Sequence, residues 1–363
     1  MHLLLIVSLI LVCISIDYTK GEGIDEQKLN KNRLHKVFWM GMILFLFAAL
    51  RHISVGIDVQ EYAKNYELIS KYDFKEIMIL KEGRDPVFSI FCKLLTYISA
   101  SPNFMLAVIG AIVAFSFSYY VYNQKGDVLL SYILFITFRL YAFTLTGLRQ
   151  ALALSLCWIA FVMLQKRKNI LFFVLTLTAS LFHLSAIVFV LAWIIYKFSK
   201  PMVSFTVCAI IAAIDLISSH AIISVFSSLM TEDRFEEYTH IDNISTYTGG
   251  GTFYLYIFFF AFMIFAMFFG KKDENTTDTN KIFNVACVAM MIYVICQNLP
   301  VFFRMSYYFI LPFYTLIPKS IDAVFKKNDA FLVRSFIILM LTIQYLVLTP
   351  GAGITNYQFF WTN

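Results

Sequence analysis

Long apolar runs separated by short polar loops extend along most of the chain. Two of the clearest, 253–269 and 331–348, carry almost no charge. An α-helix rises about 1.5 Å per residue, so about 20 apolar residues cross the roughly 30 Å hydrocarbon core of a membrane. The pattern therefore predicts an all-α fold and a polytopic integral membrane protein.

The distribution of Lys and Arg orients these segments. Cytoplasmic loops of inner-membrane proteins carry an excess of both residues, and one path through the membrane places every basic cluster of this chain inside, with about twelve spans and both termini outside. The basic clusters lie at 28–36, 125, 166–168, 197–200, 271–272 and 319–327. The predicted spans are 2–16, 37–50, 104–122, 128–145, 147–164, 170–182, 184–197, 203–219, 252–269, 282–299, 305–318 and 330–349.

Three features complete this predicted topology. Segments 170–182 and 184–197 form a short hairpin with its tip outside, near His183. Segment 86–100 is too short to be a span and is interpreted as a re-entrant or interfacial helix. The first segment lacks a basic start and a clear cleavage site, so it is taken as a retained helix. Residues 1–363 are then one integral membrane domain, with extracytoplasmic loops at about 51–103 and 231–251.

Composition and charge agree with a membrane location. The chain is 60% hydrophobic and only 14% charged, whereas soluble domains contain about 25% charged residues. The net charge of +6 follows from the basic cytoplasmic loops and indicates no nucleic-acid partner. The six cysteines stand singly in apolar segments, so neither a disulfide framework nor a metal site is indicated.

The polar and charged residues that are unexpected in or beside lipid fall on the outer side of this topology. An arginine in or beside a membrane span is costly and is kept for a partner or a function. Its planar guanidinium stays charged and donates two parallel hydrogen bonds, which suits phosphate. Arginines from distant parts of the chain on one membrane face therefore predict an anion site. The residues on this face are Arg51, His52, Asp58, Arg84, Asp85, Arg149, His183, Arg234 and Arg304, with Arg139 in a span nearby.

Ordinary structural roles remain open for several of these residues. Arg51 and Arg149 also suit anchors at the membrane interface, and Arg304 suits an arginine that extends its side chain to that interface. Arg139 also fits a partner of a carboxylate or of carbonyls inside the bundle, and His183 a hydrogen-bonded structural histidine.

Several short motifs in this chain resemble those of the EpsG family. The stretch 50–58 with Tyr62 resembles an R-x-x-x-x-G-x-D-x-x-x-Y signature, and 147–153 resembles the I/L-R-Q-A/x-L-A motif. The stretch 179–186 is similar to A-x-x-F-H-x-S-A. Residues 84–88 resemble Glu-Pro-x-Phe with Asp85 in the glutamate position, 233–238 resemble a looser E-R-Y-like loop, and Arg304 with Tyr307 and Tyr308 resembles R-x-x-Y-F. The resemblance covers about residues 37–320, and the motifs occur in family order.

The resemblance implies a function. EpsG-family proteins are assigned to Wzy-type polymerisation of exopolysaccharide, capsule and O-antigen, at the outer face of the bacterial plasma membrane. The implied fold is a GT-C-like bundle, the implied substrate a polyprenyl-pyrophosphate-linked oligosaccharide, and a further partner a chain-length regulator. The pyrophosphate leaving group needs cationic stabilisation, which Arg51, Arg149, Arg234 and Arg304 are expected to supply.

The acceptor hydroxyl also needs a base. Asp58 and His183 are the two candidates and Asp85 the reserve, while Gln150, Arg139 and Tyr62 are expected to support the site. The outer loops contain no D-x-D, D-x-E or E-x-D pair, so we expect metal-independent catalysis without a cofactor.

Two other classes of membrane protein compete with this interpretation. A flippase for lipid-linked oligosaccharides also needs a cationic cavity, but it would place arginines at the midplane between two related halves, and the chain shows no internal repeat. A polysaccharide O-acyltransferase should have further polar residues around its catalytic histidine, whereas His183 stands alone in an apolar stretch.

Overall fold

The computed structural model describes residues 2–18, 26–80, 86–124, 126–201, 250–271, 276–295, 302–348 and 357–362. Within these ranges the regular structure is helical, apart from one isolated β-bridge between Arg51 and Phe359. The all-α prediction is confirmed for this part of the chain. The chain divides into two compact units, one of Met1–Ile187 with Ile338–Asn363 and one of Val188–Ile337.

The α-helices follow the order of the predicted apolar segments, with additional helices between them. They are α1 His2–Tyr18, α2 Glu26–Ala49, α3 Val59–Lys71, α4 Phe74–Leu80, α5 Pro86–Thr96, α6 Pro102–Asn123, α7 Val128–Thr137, α8 Leu140–Thr144, α9 Leu148–Gln165, α10 Asn169–Phe182, α11 Leu191–Ile195, α12 Gly250–Phe269, α13 Thr276–Ile295, α14 Leu311–Val324 and α15 Lys327–Leu348. Two 3₁₀ helices occupy Leu184–Val190 and Phe302–Tyr308.

Helix length and composition support a membrane protein. In the described part of the chain, three helices are long and apolar enough to cross a membrane: α6, α9 and residues 327–347 of α15. Shorter apolar helices occupy Leu3–Asp17, Pro86–Thr96, Val128–Thr137, Asn169–Phe182, Leu184–Ile195 and Tyr254–Phe269. The total of about twelve spans stays a prediction, and the predicted span 203–219 lies outside the described residues.

Two regions differ from the sequence prediction. The predicted span 128–145 is broken into α7 and α8 at Arg139, whose φ is 64°. This left-handed conformation is rare for a residue with a Cβ and ends a right-handed helix. Within the predicted extracytoplasmic loop 51–103, where only the segment 86–100 was expected to be helical, α3 and α4 also fold. In α3 the buried Val59, Ala63, Tyr66 and Ile69 recur at helical spacing and give the helix an apolar face.

The first unit is built on close contact between α2, α6 and α9. A Cβ added to Gly110 of α6 would lie 2.6 Å from the Cβ of Ala48 in α2, so the two helices approach through small residues, as membrane helices often do. Phe117 of α6 stacks on Phe135 of α7 with ring centroids 3.9 Å apart. These contacts pack α6 against α2 and α7.

Arg33, near the start of α2, binds the carboxyl end of α6. Its Nη1 donates to the carbonyl of Gly126 at 2.7 Å, its Nη2 to that of Val121 at 2.6 Å, and its Nε to that of Tyr122 at 3.3 Å. Nη2 also donates to the carbonyl of Gln124. The last carbonyls of a helix have no partner within the helix, and Arg33 supplies donors to them.

The second unit has an aromatic interior. Tyr256 of α12 lies beside Tyr314 of α14, with phenol oxygens 3.3 Å apart, and beside Tyr293 of α13 at a centroid distance of 5.0 Å. Asn284 of α13 donates to the carbonyl of Phe198 at 2.6 Å, which fixes the chain after α11. Arg304 belongs to this unit.

Candidate functional site

The start of α3 packs against the turn before α9 through Gly56. Its φ is +113°, and an added Cβ would lie 2.9 Å from the carbonyl oxygen of Leu145 and 2.6 Å from the side chain of Val59. A residue with a Cβ would be strained at this φ and would clash with backbone. The glycine therefore allows the residues after it to approach the start of α9.

Tyr62 and Arg149 meet across this contact. Nε of Arg149 donates to the phenol oxygen of Tyr62 at 3.2 Å, and its guanidinium carbon lies 5.7 Å from the centroid of the same ring. The arginine is half-buried in the first turn of α9, and Tyr62 lies in the second turn of α3. The two family motifs that contain these residues are thus joined in space, 87 residues apart in sequence.

Burial raises the pKa of Tyr62, and the neighbouring Arg149 acts in the opposite direction. Asp58, one turn earlier, adds a smaller effect that raises the same pKa. Because the ordinary pKa of tyrosine is already about 10, the phenol keeps its proton at neutral pH. Tyr62 is therefore neutral when its hydroxyl oxygen accepts the hydrogen bond from the Arg149 guanidinium. It keeps its own hydroxyl proton.

Asp58 precedes α3 and is exposed. Its side chain makes no capping hydrogen bond to the helix, although its backbone carbonyl accepts from the amide of Tyr62 at 3.1 Å. The carboxylate thus points neither into the bundle nor onto the helix start. It lies close to Tyr62 and remains open to solvent.

A chain of aromatic rings leads from Tyr62 towards His183. Tyr62 contacts Phe88 at a centroid distance of 5.6 Å, Phe88 contacts Phe91 at 6.4 Å, and Phe91 contacts Phe182 at 6.0 Å. Phe88 and Phe91 lie on α5, which packs against both α3 and α10. The segment interpreted as re-entrant or interfacial thus links Tyr62, which shares a motif with Asp58, to Phe182, the residue before His183.

His183 lies where the helix changes type. The helix α10 ends at Phe182, the backbone of His183 is extended, and a 3₁₀ helix follows. The backbone N–H of His183 donates to the carbonyl of Ala179 at 3.0 Å. Its side chain is half-buried.

Arg51 follows α2 and is almost completely buried, with 1% of its surface exposed. Among the described residues, no hydrogen-bond acceptor meets its Nε or its Nη1. Burial lowers its pKa to about 10, and the phenol oxygens of Tyr141 and Tyr357 partly offset this effect. The guanidinium therefore stays charged at neutral pH in a site that hides it from water.

The residues 357–362 cover this end of α2. The amide of His52 donates to the carbonyl of Gln358 at 2.8 Å, and the amide of Phe360 donates to that of Leu50 at 2.9 Å. The Tyr357 hydroxyl donates to the carbonyl of Phe47 at 2.9 Å, one of the carbonyls that α2 leaves without a helical partner. No role for this segment was predicted from the sequence. Its one signal was the aromatic content of 357 and 359–361, since aromatic residues are enriched in strands.

Three further predicted residues take separate positions. Arg139 forms the break between α7 and α8, and its charge lies near Tyr345 of α15. Gln150 is buried in the first turn of α9, directly after Arg149. Arg304 is half-buried on the 3₁₀ helix Phe302–Tyr308 of the second unit. The first unit therefore holds Arg51, Asp58, Tyr62, Arg139, Arg149, Gln150 and His183.

Three residues of the predicted outer face, Arg84, Asp85 and Arg234, lie outside the described residues. The loop 231–251 does so as well, except for its last two positions. Within the part of the chain that the structure describes, no three His, Cys, Asp or Glu side chains gather in a metal-like group. Metal independence stays a prediction.

Comparison with known proteins identifies the family. The EpsG family profile matches residues 37–360, nearly the whole chain. No curated protein and no solved structure matches the chain. The matched range includes all the motifs above, and the family is the Wzy-type polymerase family, with a polymerase-like role in exopolysaccharide biosynthesis. The chain is a membrane protein that belongs to the EpsG family.

Proposed function

We propose that this protein joins polyprenyl-pyrophosphate-linked oligosaccharide repeats into a surface polysaccharide at the outer face of the plasma membrane. Family membership supports the reaction class. The observation that carries the proposal to particular residues is the contact of Arg149 with Tyr62, 3.2 Å from Nε to the phenol oxygen, beside the exposed Asp58. A cation, a neutral phenol and a carboxylate from two distant motifs are brought together there.

The reaction transfers a glycosyl group. A hydroxyl oxygen of the acceptor repeat attacks the anomeric carbon of the donor, a new C–O bond forms, and the bond between that carbon and the pyrophosphate oxygen breaks. The bonding electrons leave with polyprenyl pyrophosphate, and the hydroxyl proton passes to a base of the protein. The protein must therefore stabilise a growing negative charge and accept one proton.

The arginines stabilise the leaving group in this proposal. The hydrogen bond to Tyr62 fixes the plane of the Arg149 guanidinium before substrate binds, so little reorganisation is needed when charge develops. Arg51 is a further cation of the same unit, and its burial strengthens its attraction for an anion because water screens it less. Arg234 and Arg304 are assigned the same role by the family motifs.

The proton is accepted by Asp58 or by His183. Asp58 lies beside the Arg149–Tyr62 pair, and this proximity favours it as the base. His183 lies at the other end of the aromatic chain through α5, with Asp85 as the reserve. The groups named here account for charge and proton transfer, and we expect the reaction to need no metal ion or other cofactor.

Exchange of Arg149 tests this function. Lysine keeps the charge and reaches the interface but loses the planar two-donor fork, so we expect Arg149→Lys to fail nearly as badly as Arg149→Ala. Loss of one preorganised donor costs about 10²–10³ in rate. The assay is complementation of a polymerase-null strain, scored by polysaccharide laddering, with the protein level measured by blot.

Arg167, just after the other end of α9 and exposed, is the matched control, and Arg167→Lys should make full-length polymer. A single repeat at the cell surface with normal levels of the Arg149 variants supports the polymerase and excludes a flippase, because the repeat has already crossed. Full-length polymer from Arg149→Lys would rule out a two-donor phosphate contact for Arg149.

A further inference from the structure

The residues 357–362, here called the cover, close over a buried cation. Phe359 pairs with Arg51 in an isolated antiparallel bridge. We propose that the cover gates an anion site at Arg51, and that it must part before a pyrophosphate group reaches the guanidinium. This inference rests on the proposed function and adds a conformational step to it.

The burial of Arg51 favours an anion as its partner. The side chain is 1% exposed, and two of its three nitrogens meet no acceptor in the described part of the chain. A buried charge without hydrogen-bonded partners is strongly unfavourable, so the closed arrangement stores a cost that an anion would remove. Phosphoryl oxygens match this need because they are charged and accept several N–H donors at once.

The cover is held by few bonds. Two backbone hydrogen bonds flank the bridge and the Tyr357 hydroxyl adds a third, whereas an isolated pair of strands is marginally stable at best. Its aromatic side chains become more exposed along the segment. Tyr357 packs on Phe47, Phe359 stacks on Trp361 at a centroid distance of 4.6 Å, and Trp361 is 57% exposed. The segment is therefore attached firmly at Tyr357 and loosely at Trp361.

Opening would change the surroundings of Arg51 directly. Tyr141 and Tyr357 are close enough to the guanidinium to act on its charge. Tyr141 donates to the carbonyl of Leu44 at 2.7 Å and stays with α8, whereas Tyr357 belongs to the cover. Movement of the cover removes one wall of the site and admits an anion from the side that residues 357–362 occupy.

Two engineered disulfides test the gate. Leu50→Cys with Phe360→Cys, and His52→Cys with Gln358→Cys, place thiols on either side of the Arg51–Phe359 bridge, and opposite residues of antiparallel strands lie within disulfide reach. Both pairs are built in a background without the six native cysteines. Binding of inorganic pyrophosphate to the purified full-length protein is measured by calorimetry before and after oxidation, and again after reduction.

The reduced variants should bind as the cysteine-free parent does. The oxidised variants should bind at least about tenfold more weakly, since the competent open state is removed, and reductant should restore binding in the same sample. The controls are Phe360→Cys alone and Gln358→Cys alone, which oxidant should leave unchanged, and Arg51→Ala, which should not bind pyrophosphate in this site.

The outcomes separate the gate from the function. Equal binding by oxidised and reduced protein overturns the gate and leaves the Arg51 site intact. Absence of pyrophosphate binding in every form, while the parent still makes polymer in cells, overturns both the gate and the Arg51 site but not the polymerase. Absence of polymer from the parent together with normal pyrophosphate binding counts against the polymerase and not against the gate.

Discussion

The two ends of α2 carry arginines in opposite situations. Arg33 donates from all three of its nitrogens to carbonyls at the end of α6, whereas Arg51 is more deeply buried and its Nε and Nη1 meet no acceptor among the described residues. Both are cations removed from water beside the same helix. The first stabilises the fold by satisfying a helix end, and the second is an unfavourable charge that the fold retains. Burial alone therefore does not indicate function, but burial without partners does.

The largest expected difference between exchanging Arg51 and exchanging Arg33 is in polymerase activity. Arg51→Met should reduce polymer formation by about 10²–10³, because a cation proposed to stabilise the leaving group is lost. Arg33→Met should form polymer at the normal rate per folded molecule. The comparison is made in cells by laddering, with both signals divided by the amount of protein in the membrane. Normal polymer from Arg51→Met would place Arg51 among the structural arginines.

Protein stability should depend on Arg33 more than on Arg51, the reverse of the order expected for activity. Arg33→Met leaves helix-end carbonyls without donors, and we expect a loss of about 1–3 kcal/mol. Arg51→Met replaces an unpaired buried charge by an apolar chain of similar length, which is neutral or stabilising. The thermal midpoints of the two purified variants in one detergent provide the check. A midpoint for Arg51→Met far below that of wild type would show that its guanidinium has partners that stabilise the protein.

The smallest effect concerns Tyr62, which orients an arginine without carrying charge. Tyr62→Phe removes the acceptor of Arg149 Nε and should lower activity by about tenfold, a loss of roughly 1–1.5 kcal/mol. Burial raises the pKa of Tyr62, so its protonated form is the native one below about pH 10. The stability that the protonated phenol gives to the folded protein is lost only as the pH rises above about 10.

Wild type and Tyr62→Phe should consequently show pH–rate profiles of the same shape between about pH 6 and pH 9. Initial rates with a reconstituted enzyme test this. A wild-type rate that changes in this range, with the change absent in Tyr62→Phe, would assign Tyr62 a role in proton transfer.

The sequence predicts the apolar helices well and their interruptions poorly. The spans 104–122 and 147–164 differ from α6 and α9 by at most two residues at either end, because long apolar runs define them. The break at Arg139 has no such signal, since the surrounding residues are apolar on both sides. The helix α3 did have a sequence signal, which was the helical spacing of Val59, Ala63, Tyr66 and Ile69. The polar residues on its other face have the composition of a loop.

The candidate site likewise contains one contact that the sequence predicts and one that it does not. Tyr62 and Arg149 were expected to act together because two family motifs contain them, and their contact places those motifs side by side. The neighbours of Arg51 were not foreseen. Tyr357 reaches the carbonyl of Phe47 across 310 residues, and a contact over that separation depends on tertiary packing that no local pattern specifies.

The aromatic chain through α5 consists of residues that affect the shape of the candidate site but not its charge. The distance between the Tyr62 end and the His183 end is set by the rings of Phe88, Phe91 and Phe182, which carry no titratable group. A larger or smaller side chain at 88 or 91 would change that distance and leave every arginine and carboxylate in place. In the proposed polymerase, ring volume at these positions would set the size of the sugar repeat, while the groups that handle charge and protons stay constant.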